Sequence, residues 1–237
     1  MEVKSPPTVR LPSRPYSVPT LTRERLPFRV RFVDSAQDLE KAVEIRSSAY
    51  ARHVPSVGAV LRKPETDDYR RDVLVLLAER KIDRQPIGSV RLQTNVDQPL
   101  RIEGELKLPD VYSNRRLIEA MRLGVTNGIS GKLVNAALLK AAYEICHACE
   151  IDYSIAAGRR SVAEIYRWMQ FDDVLGGGTI PLSYADHLPH GVFAMPIRDF
   201  DRRWRSVSHS LYPFFASTEH PDIDIDYERV FKAFRIV

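Results

Sequence analysis

Four charged side chains of this 237-residue chain stand where apolar ones belong, and their types define the chemistry to look for. In residues 35–50 (SAQDLEKAVEIRSSAY), Leu39, Ala42, Val43, Ile45, Ala49 and Tyr50 recur at helical spacing. At about 100° per residue, Arg46 falls inside that stripe rather than on its polar edge. A guanidinium aimed into a core requires an anionic partner or an anionic ligand, because burying it unpaired is costly. Arg91, Glu119 and Arg122 interrupt apolar strand patterns in the same way. Arginine forks bind carboxylates in bidentate fashion and keep their charge. Glu119 alternates with Leu117, Met121 and Leu123, so it belongs to an apolar face where its pKa should rise. Such a carboxyl group can take a proton from a nucleophile or pair with Arg46 or Arg91, and the two roles are compatible. A charged pocket inside one α/β domain is the expectation.

The elements that must position these groups follow from periodicity. Residues 28–33 (FRVRFV) read as a strand, and residues 35–50 as a helix in which Ser35 and Asp38 approximate a capping box. Residues 52–69, with two prolines, a glycine and mixed charge, read as a long loop. The run 73–78 (VLVLLA) is a central strand buried on both faces, and residues 87–94 and 116–125 are further strands. In an unbulged strand Glu119 and Arg122 face opposite sides. Residues 128–149 form a long helix with Val134, Leu138, Ala141, Ile145 and Cys149 on one face. A strand at 153–157, a helix at 161–169 opened by Ser161 with Glu164, and a strand at 191–195 complete one mixed-sheet α/β domain. Residues 1–27, punctuated by Pro6, Pro7, Pro12, Pro15, Pro19 and Pro27, read as an extended or disordered arm. The domain spans 28–200. Residues 201–237 read as a helical extension, with an amphipathic helix near 197–215, and a solvated acidic tail (HPDIDIDY).

With 44% hydrophobic and 28% charged residues, the chain can bury one full core and remain soluble. No apolar run reaches the roughly 18 residues of a membrane span, and the N-terminus shows no apolar signal segment. Two cysteines fit a reducing cytoplasm. Cys146-x-x-Cys149 falls late in a helix without the further ligands of a zinc site, so both read as buried thiols. The six histidines show no ligand spacing, and neither a metal nor a permanently bound cofactor is expected. A net charge of +4 favours an acidic partner.

The element order, Arg46-x-x-x-Tyr50, the aspartates Asp67, Asp68 and Asp72, Gly88-Ser89-Val90-Arg91-Leu92 and Glu119-x-x-Arg122 together resemble acyltransferases of the GNAT superfamily over residues 28–200. Within it they resemble the branch of N-acyl amino acid synthases and acyl-homoserine-lactone synthases. The resemblance implies a mixed central sheet flanked by helices, with a splayed strand pair that receives a pantetheine arm. It implies transfer of a long fatty acyl chain from the 4′-phosphopantetheine arm of acyl carrier protein to the amine of an amino acid or other small acceptor. Glu119 would be the base, and Arg46, Tyr50, Asp67, Asp68, Asp72, Arg91 and Arg122 would organise the acceptor. Tyr166, which opens YRWMQF, would protonate the leaving thiolate, although Gln170 replaces the usual glycine. The superfamily's equivalent of the 116–125 strand commonly carries a bulge, which would change how Glu119 and Arg122 face.

The donor side can also be read from the residues. Backbone N–H groups near Leu123 and Val125 suit an oxyanion. Thr126, Asn127, Gly128, Gly131 and Lys132 precede or open a helix whose N-terminus suits the pantetheine phosphate, or else form an ordinary helix entry. They do not reproduce the superfamily's acetyl-CoA loop, which favours another donor. Lactone synthases carry a tryptophan in the S-adenosylmethionine pocket that residues 52–60 (RHVPSVGAV) lack. Arg115, Arg116, Lys132, Arg159 and Arg160 would receive the acidic carrier, or else are solvated surface. Lactone synthesis and ornithine N-acylation are the enzymatic alternatives. A basic nucleic-acid-binding module using the N-terminal arm is the non-enzymatic one, and it would leave the inward arginines and Glu119 without a role. No nucleic-acid partner is therefore expected, and membrane contact only transiently, through the product.

Overall fold

The computed structural model describes residues 21–236. Residues 1–20, most of the expected arm, lie outside the described residues. The chain runs β1 (Thr22–Arg23), β2 (Phe28–Phe32), α1 (Ala36–Ala51), α2 (Pro55–Val60), β3 (Val73–Arg80), β4 (Pro86–Thr94) and β5 (Leu117–Val125). It continues through α3 (Ile129–Ala148), β6 (Tyr153–Gly158), α4 (Arg160–Trp168), β7 (Asp172–Asp173), β8 (Ile180–Leu182) and β9 (Leu188–Pro196). α5 (Phe200–Ser206), β10 (Thr218–Glu219) and α6 (Tyr227–Ala233) follow. The main sheet has the order β2-β3-β4-β5-β6-β9-β7, with β8 on β9, while β1 pairs separately with β10.

Neighbours in this sheet are antiparallel except β5 and β6. That parallel pairing joins Leu117, Ile118 and Glu119 to Tyr153, Ser154 and Ile155, and then stops. β5 stays with β4 as far as Val125, and β6 stays with β9 as far as Gly158. The two strands part between them. The cause is local: Ser89 pairs with Gly124 but Arg91 with Met121, so β5 holds one extra residue, and Arg122 takes φ 54°. A bulge of this kind bends its strand. The expected splay and bulge are both present.

α1 covers one sheet face and α3 the other. Ser35 caps α1, its Oγ accepting the Asp38 N–H at 3.1 Å. The α3 stripe read from the sequence, Val134, Leu138, Ala141, Ile145 and Cys149, packs on Val30, Leu76, Val90 and Ile118. Burial pushes the thiol pKa values of Cys146 and Cys149 up, so both stay protonated members of the apolar wall.

Several expectations give way. The 52–69 loop contains α2, which opens on Pro55, where a missing N–H costs nothing, and a 3₁₀ turn at Thr66–Tyr69. α4 is already helical at Arg160 with no side-chain cap bond, so Ser161 and Glu164 form no capping box. The expected 197–215 helix ends at Ser206, and Ser208 turns the chain at φ 48°. Nor is the acidic tail solvated: Asp222 is buried, accepting the Leu26 N–H at 2.9 Å and pairing with Lys81 at 2.7 Å. Val230 and Phe234 of α6 join the main core.

Candidate active site

Arg46 does find its anion. Its guanidinium, 1% exposed, grips the fully buried Asp68 through Nη1–Oδ1 at 2.8 Å. Arg91 of β4 reaches Glu65 at 3.1 Å, Asp68 at 3.2 Å and Asp67 at 3.5 Å. Arg122 holds Glu65 in a bidentate fork with both contacts at 2.8 Å. Arg101, from the 3₁₀ turn Arg101–Gly104, closes on Glu65 at 3.0 Å and Asp67 at 3.1 Å. Burial alone would raise the Glu65 carboxyl, but Arg122, Arg91 and Arg101 hold it down at about 2. The same opposition, led by Arg46, keeps Asp68 below the usual carboxylate range.

Glu119 and Arg122 both reach Tyr184, the first through the phenol at 3.4 Å and the second through the main-chain oxygen at 3.3 Å. A flat strand would forbid that; the bulge permits it. Glu119 is 1% exposed and accepts the Ile102 N–H at 3.3 Å. Its burial pushes the pKa up to about 7. While Glu119 is protonated, four guanidiniums face the three carboxylates of Glu65, Asp67 and Asp68, leaving one net positive charge.

Beside this cluster a cavity of about 700 Å³ runs through the splay. On the α1 face its wall includes Tyr50, Val57, Ala185 and His190; on the α3 face it includes Leu139, Ala142, Cys146 and Phe215. Leu123, Val125, Thr126, Asn127, Gly128, Gly131 and Lys132, the expected donor-side residues, all line it. Beyond Glu119 the β5 edge facing the splay has no strand partner among the described residues, which leaves N–H groups there to meet a ligand, while the Val125 carbonyl accepts from Arg52 at 2.7 Å. Gly131 is required where it stands, since a Cβ would lie 2.2 Å from the Thr126 carbonyl oxygen. Tyr166 lines the cavity from α4, its ring stacked on Phe193 at 5.0 Å, and burial raises its pKa so that the phenol stays protonated.

No protein-family model and no curated protein sequence matches the chain. Solved structures do match. FeeM, an N-acyl amino acid synthase from uncultured soil microbes, superposes with TM-score 0.56 at 13% identity, covering 79% of this chain and 96% of its own. The CoA-dependent acyl-homoserine lactone synthase BjaI, solved with SAM and isopentyl-CoA, gives TM-score 0.54 at 16% identity over 87% and 98%. The chain has the GNAT-like fold.

The remaining expected residues can be placed on this GNAT-like frame. Glu119, Arg46, Arg91 and Arg122 are brought together, but they form a wall behind the cavity; their neighbours Ala120, Gly124 and Ala49 line it. Glu119 accepts from the Ile102 N–H and the Tyr184 phenol and does not itself line the cavity. Asp67 shares Arg91 and Arg101, whereas Asp72 pairs with Arg70 at 2.6 Å. Tyr50 lines the cavity with its ring 5.8 Å from the Arg122 guanidinium. The four arginines of the expected carrier surface are separated. Arg116 joins Asp152 just before β6, with Arg115 beside it, while Arg159 and Arg160 follow the far end of that strand. Six residues of strand, about 20 Å, lie between the pairs.

Glu65, Arg101 and Tyr184 were not singled out by the sequence. Glu65-x-x-Asp68 does have the spacing of a turn-capping pair, and Glu65 N–H indeed donates to Asp68 Oδ2 at 2.7 Å. Arg101 and Tyr184 lie in irregular segments that carry no period, although the Arg101 guanidinium sits 4.6 Å over the Tyr184 ring.

Proposed function

We propose that the protein is an N-acyltransferase that moves a long fatty acyl chain from the pantetheine thioester of an acyl carrier protein to the amine of an amino acid. The observation that carries this reading is the cavity through the splay, with the charged cluster behind its α1 side and an apolar chamber on the α3 side. From Lys132 to Cys146 its wall follows α3 for about 21 Å, a depth suited to an extended chain. Amide formation needs a neutral amine, a polarised carbonyl and a proton for the departing sulfur. An α-amino group titrates near 8 in peptides and higher in a free amino acid, so at neutral pH roughly a tenth or less is nucleophilic, a handicap of about 1.4 kcal/mol or more. Free β5 N–H groups beyond Glu119 would polarise the carbonyl, and the protonated Tyr166, which lines the cavity, would give its proton to the thiolate.

While Glu119 is protonated, the residual positive charge of the arginine cluster favours an amino acid of zero or negative net charge over S-adenosylmethionine, whose sulfonium adds a positive charge. That observation, with the missing tryptophan, sets amino acid acylation ahead of lactone synthesis. FeeM makes N-acyl amino acids and BjaI is CoA-dependent by description, so carrier-bound and CoA-bound donors are compared directly in the test. Lipid extracts of bacteria expressing the protein should contain a condensed acyl-amine under mass spectrometry, identifying both halves. Purified protein should form it faster from the carrier-bound chain than from the CoA thioester. Extracts indistinguishable from vector controls, with no turnover of either donor, would remove the reading.

A further inference from the structure

We infer that His190 is the general base of the reaction, accepting the proton of the acceptor amine at Nε2; this rests on the acyl transfer proposed above. His190 stands on β9 and lines the cavity. Strand alternation puts it on the same sheet face as Val192 and Ala194, which pack with Leu182 and Ala185. Ala185, like Tyr50, lines the α1 side of the cavity. Phe193, the intervening residue, points the other way and stacks on Tyr166. The two groups therefore flank the splay from opposite faces, the histidine on the acceptor side and the phenol beside the pantetheine path. Both lie at its open end: Tyr166 packs on Gly158, the last residue of β6, and Gly158 pairs with Gly191, next to His190.

The ring is held in one tautomer. His190 Nδ1 lies 2.7 Å from the Leu188 carbonyl oxygen, which can only accept, so Nδ1 carries the hydrogen. The neutral ring then presents the Nε2 lone pair, which has no hydrogen-bond partner among the described residues. Burial lowers the pKa, and the Arg159 guanidinium lowers it further against the opposing Leu188 bond, which keeps the ring unprotonated at neutral pH. His53 also lines the cavity, but it is exposed and its ring has no fixing bond among the described residues. Glu119, the other candidate, does not itself line the cavity.

The step balances without a co-reactant. The amine nitrogen attacks the thioester carbon, its proton passes to His190 Nε2, the C–S bond breaks, and the thiolate takes the Tyr166 proton. The imidazolium later releases its proton to solvent, from which Tyr166 is reprotonated.

The test uses palmitoyl-pantetheine with a mixture of proteinogenic amino acids. His190→Asn keeps a donor at the Nδ1 position for Leu188 and removes the base; His190→Ala is the second variant, and melting curves confirm folding of both. Expected is a fall of about 10²-fold or more in kcat/KM for the acceptor at pH 7. The donor KM should stay put, and the acid limb of the wild-type pH–rate profile, set by protonation of His190, should be absent from both variants. Long-range ¹H–¹⁵N spectra of the wild-type protein should show the Nδ1–H tautomer. Wild-type protein that acylates while both variants keep its rate and pH profile would overturn the base assignment but not the acyl transfer, as would an Nε2–H tautomer. Wild-type protein that acylates no amine would overturn both.

Discussion

Glu119 is a carboxyl group kept out of water, touching two neutral donors while Arg91 and Arg101 act on it through space. Burial dominates and lifts its pKa from the ordinary 4.5 to about 7. The fold thus prefers the neutral form. The associated stability is fully present below about pH 4.5 and is lost as pH climbs through about 7. Between pH 5 and pH 8 that loss is on the order of 2 kcal/mol. Glu119→Gln, isosteric and always neutral, should therefore flatten the decline in urea-unfolding free energy over this interval by about that amount. A variant with the wild-type pH dependence would show that the carboxyl ionises freely in the fold. The four side chains around which this site was anticipated were legible for one reason: a charge inside a 3.6- or 2-residue apolar period is a visible violation. Their partners were not. Glu65, Arg101 and Tyr184 come from turns, where no period exists for a charge to break, and which loop acid meets Arg46 depends on the path between α1 and β3.

Among the elements, β5 does most to shape the site, because one inserted residue both turns Arg122 towards Glu119 and bends the strand away from β6. The strands themselves were readable from alternation. Their parting was not, since a bulge leaves no mark in composition, and it came instead as an implication of the family resemblance. The merging of residues 197–215 into one expected helix failed because amphipathic spacing persists across the Ser208 turn. α1 sits against β5 where Gly124 leaves room: a Cβ there would lie 2.9 Å from the Arg46 Cα and 3.0 Å from the Ala49 Cβ. Backbone cannot yield as a side chain can. Gly124→Val should therefore lift α1, loosen the Arg46–Asp68 pair and cost about 1–3 kcal/mol. Gly104→Ala, with open space around its Cβ, should stay within about 0.5 kcal/mol. Equal denaturation midpoints for the two variants would mean that the α1–β5 approach is not tight.

At the scale of the whole molecule, the cavity connects surfaces that sequence distance keeps apart, and the C-terminal segment closes its far side. Phe200 and Phe215 line it there, and Lys140 of α3 holds that segment in place, its buried ammonium bonded to the carbonyls of Phe214 and Thr218 and to His220. Lys132 and Arg159 line the cavity at the other end of α3, where its mouth would open. An acidic carrier delivering its arm through that mouth should respond to Arg159→Glu with Arg160→Glu by a raised KM for the carrier-bound donor. The same reversal at Arg115 and Arg116, beyond the opposite end of β6, should leave KM unchanged; equal effects would point to general charge attraction rather than docking. Depth should then set chain length. Ala142 is buried on α3, one turn before Cys146, and both line the chamber. Ala142→Phe puts a ring where distal methylenes would lie while leaving the mouth and the acceptor face untouched. The acylated products should shift to shorter chains, with the acceptor KM unaltered. A product profile identical to the wild type would place the acyl chain outside this chamber, whatever the amine acceptor proves to be.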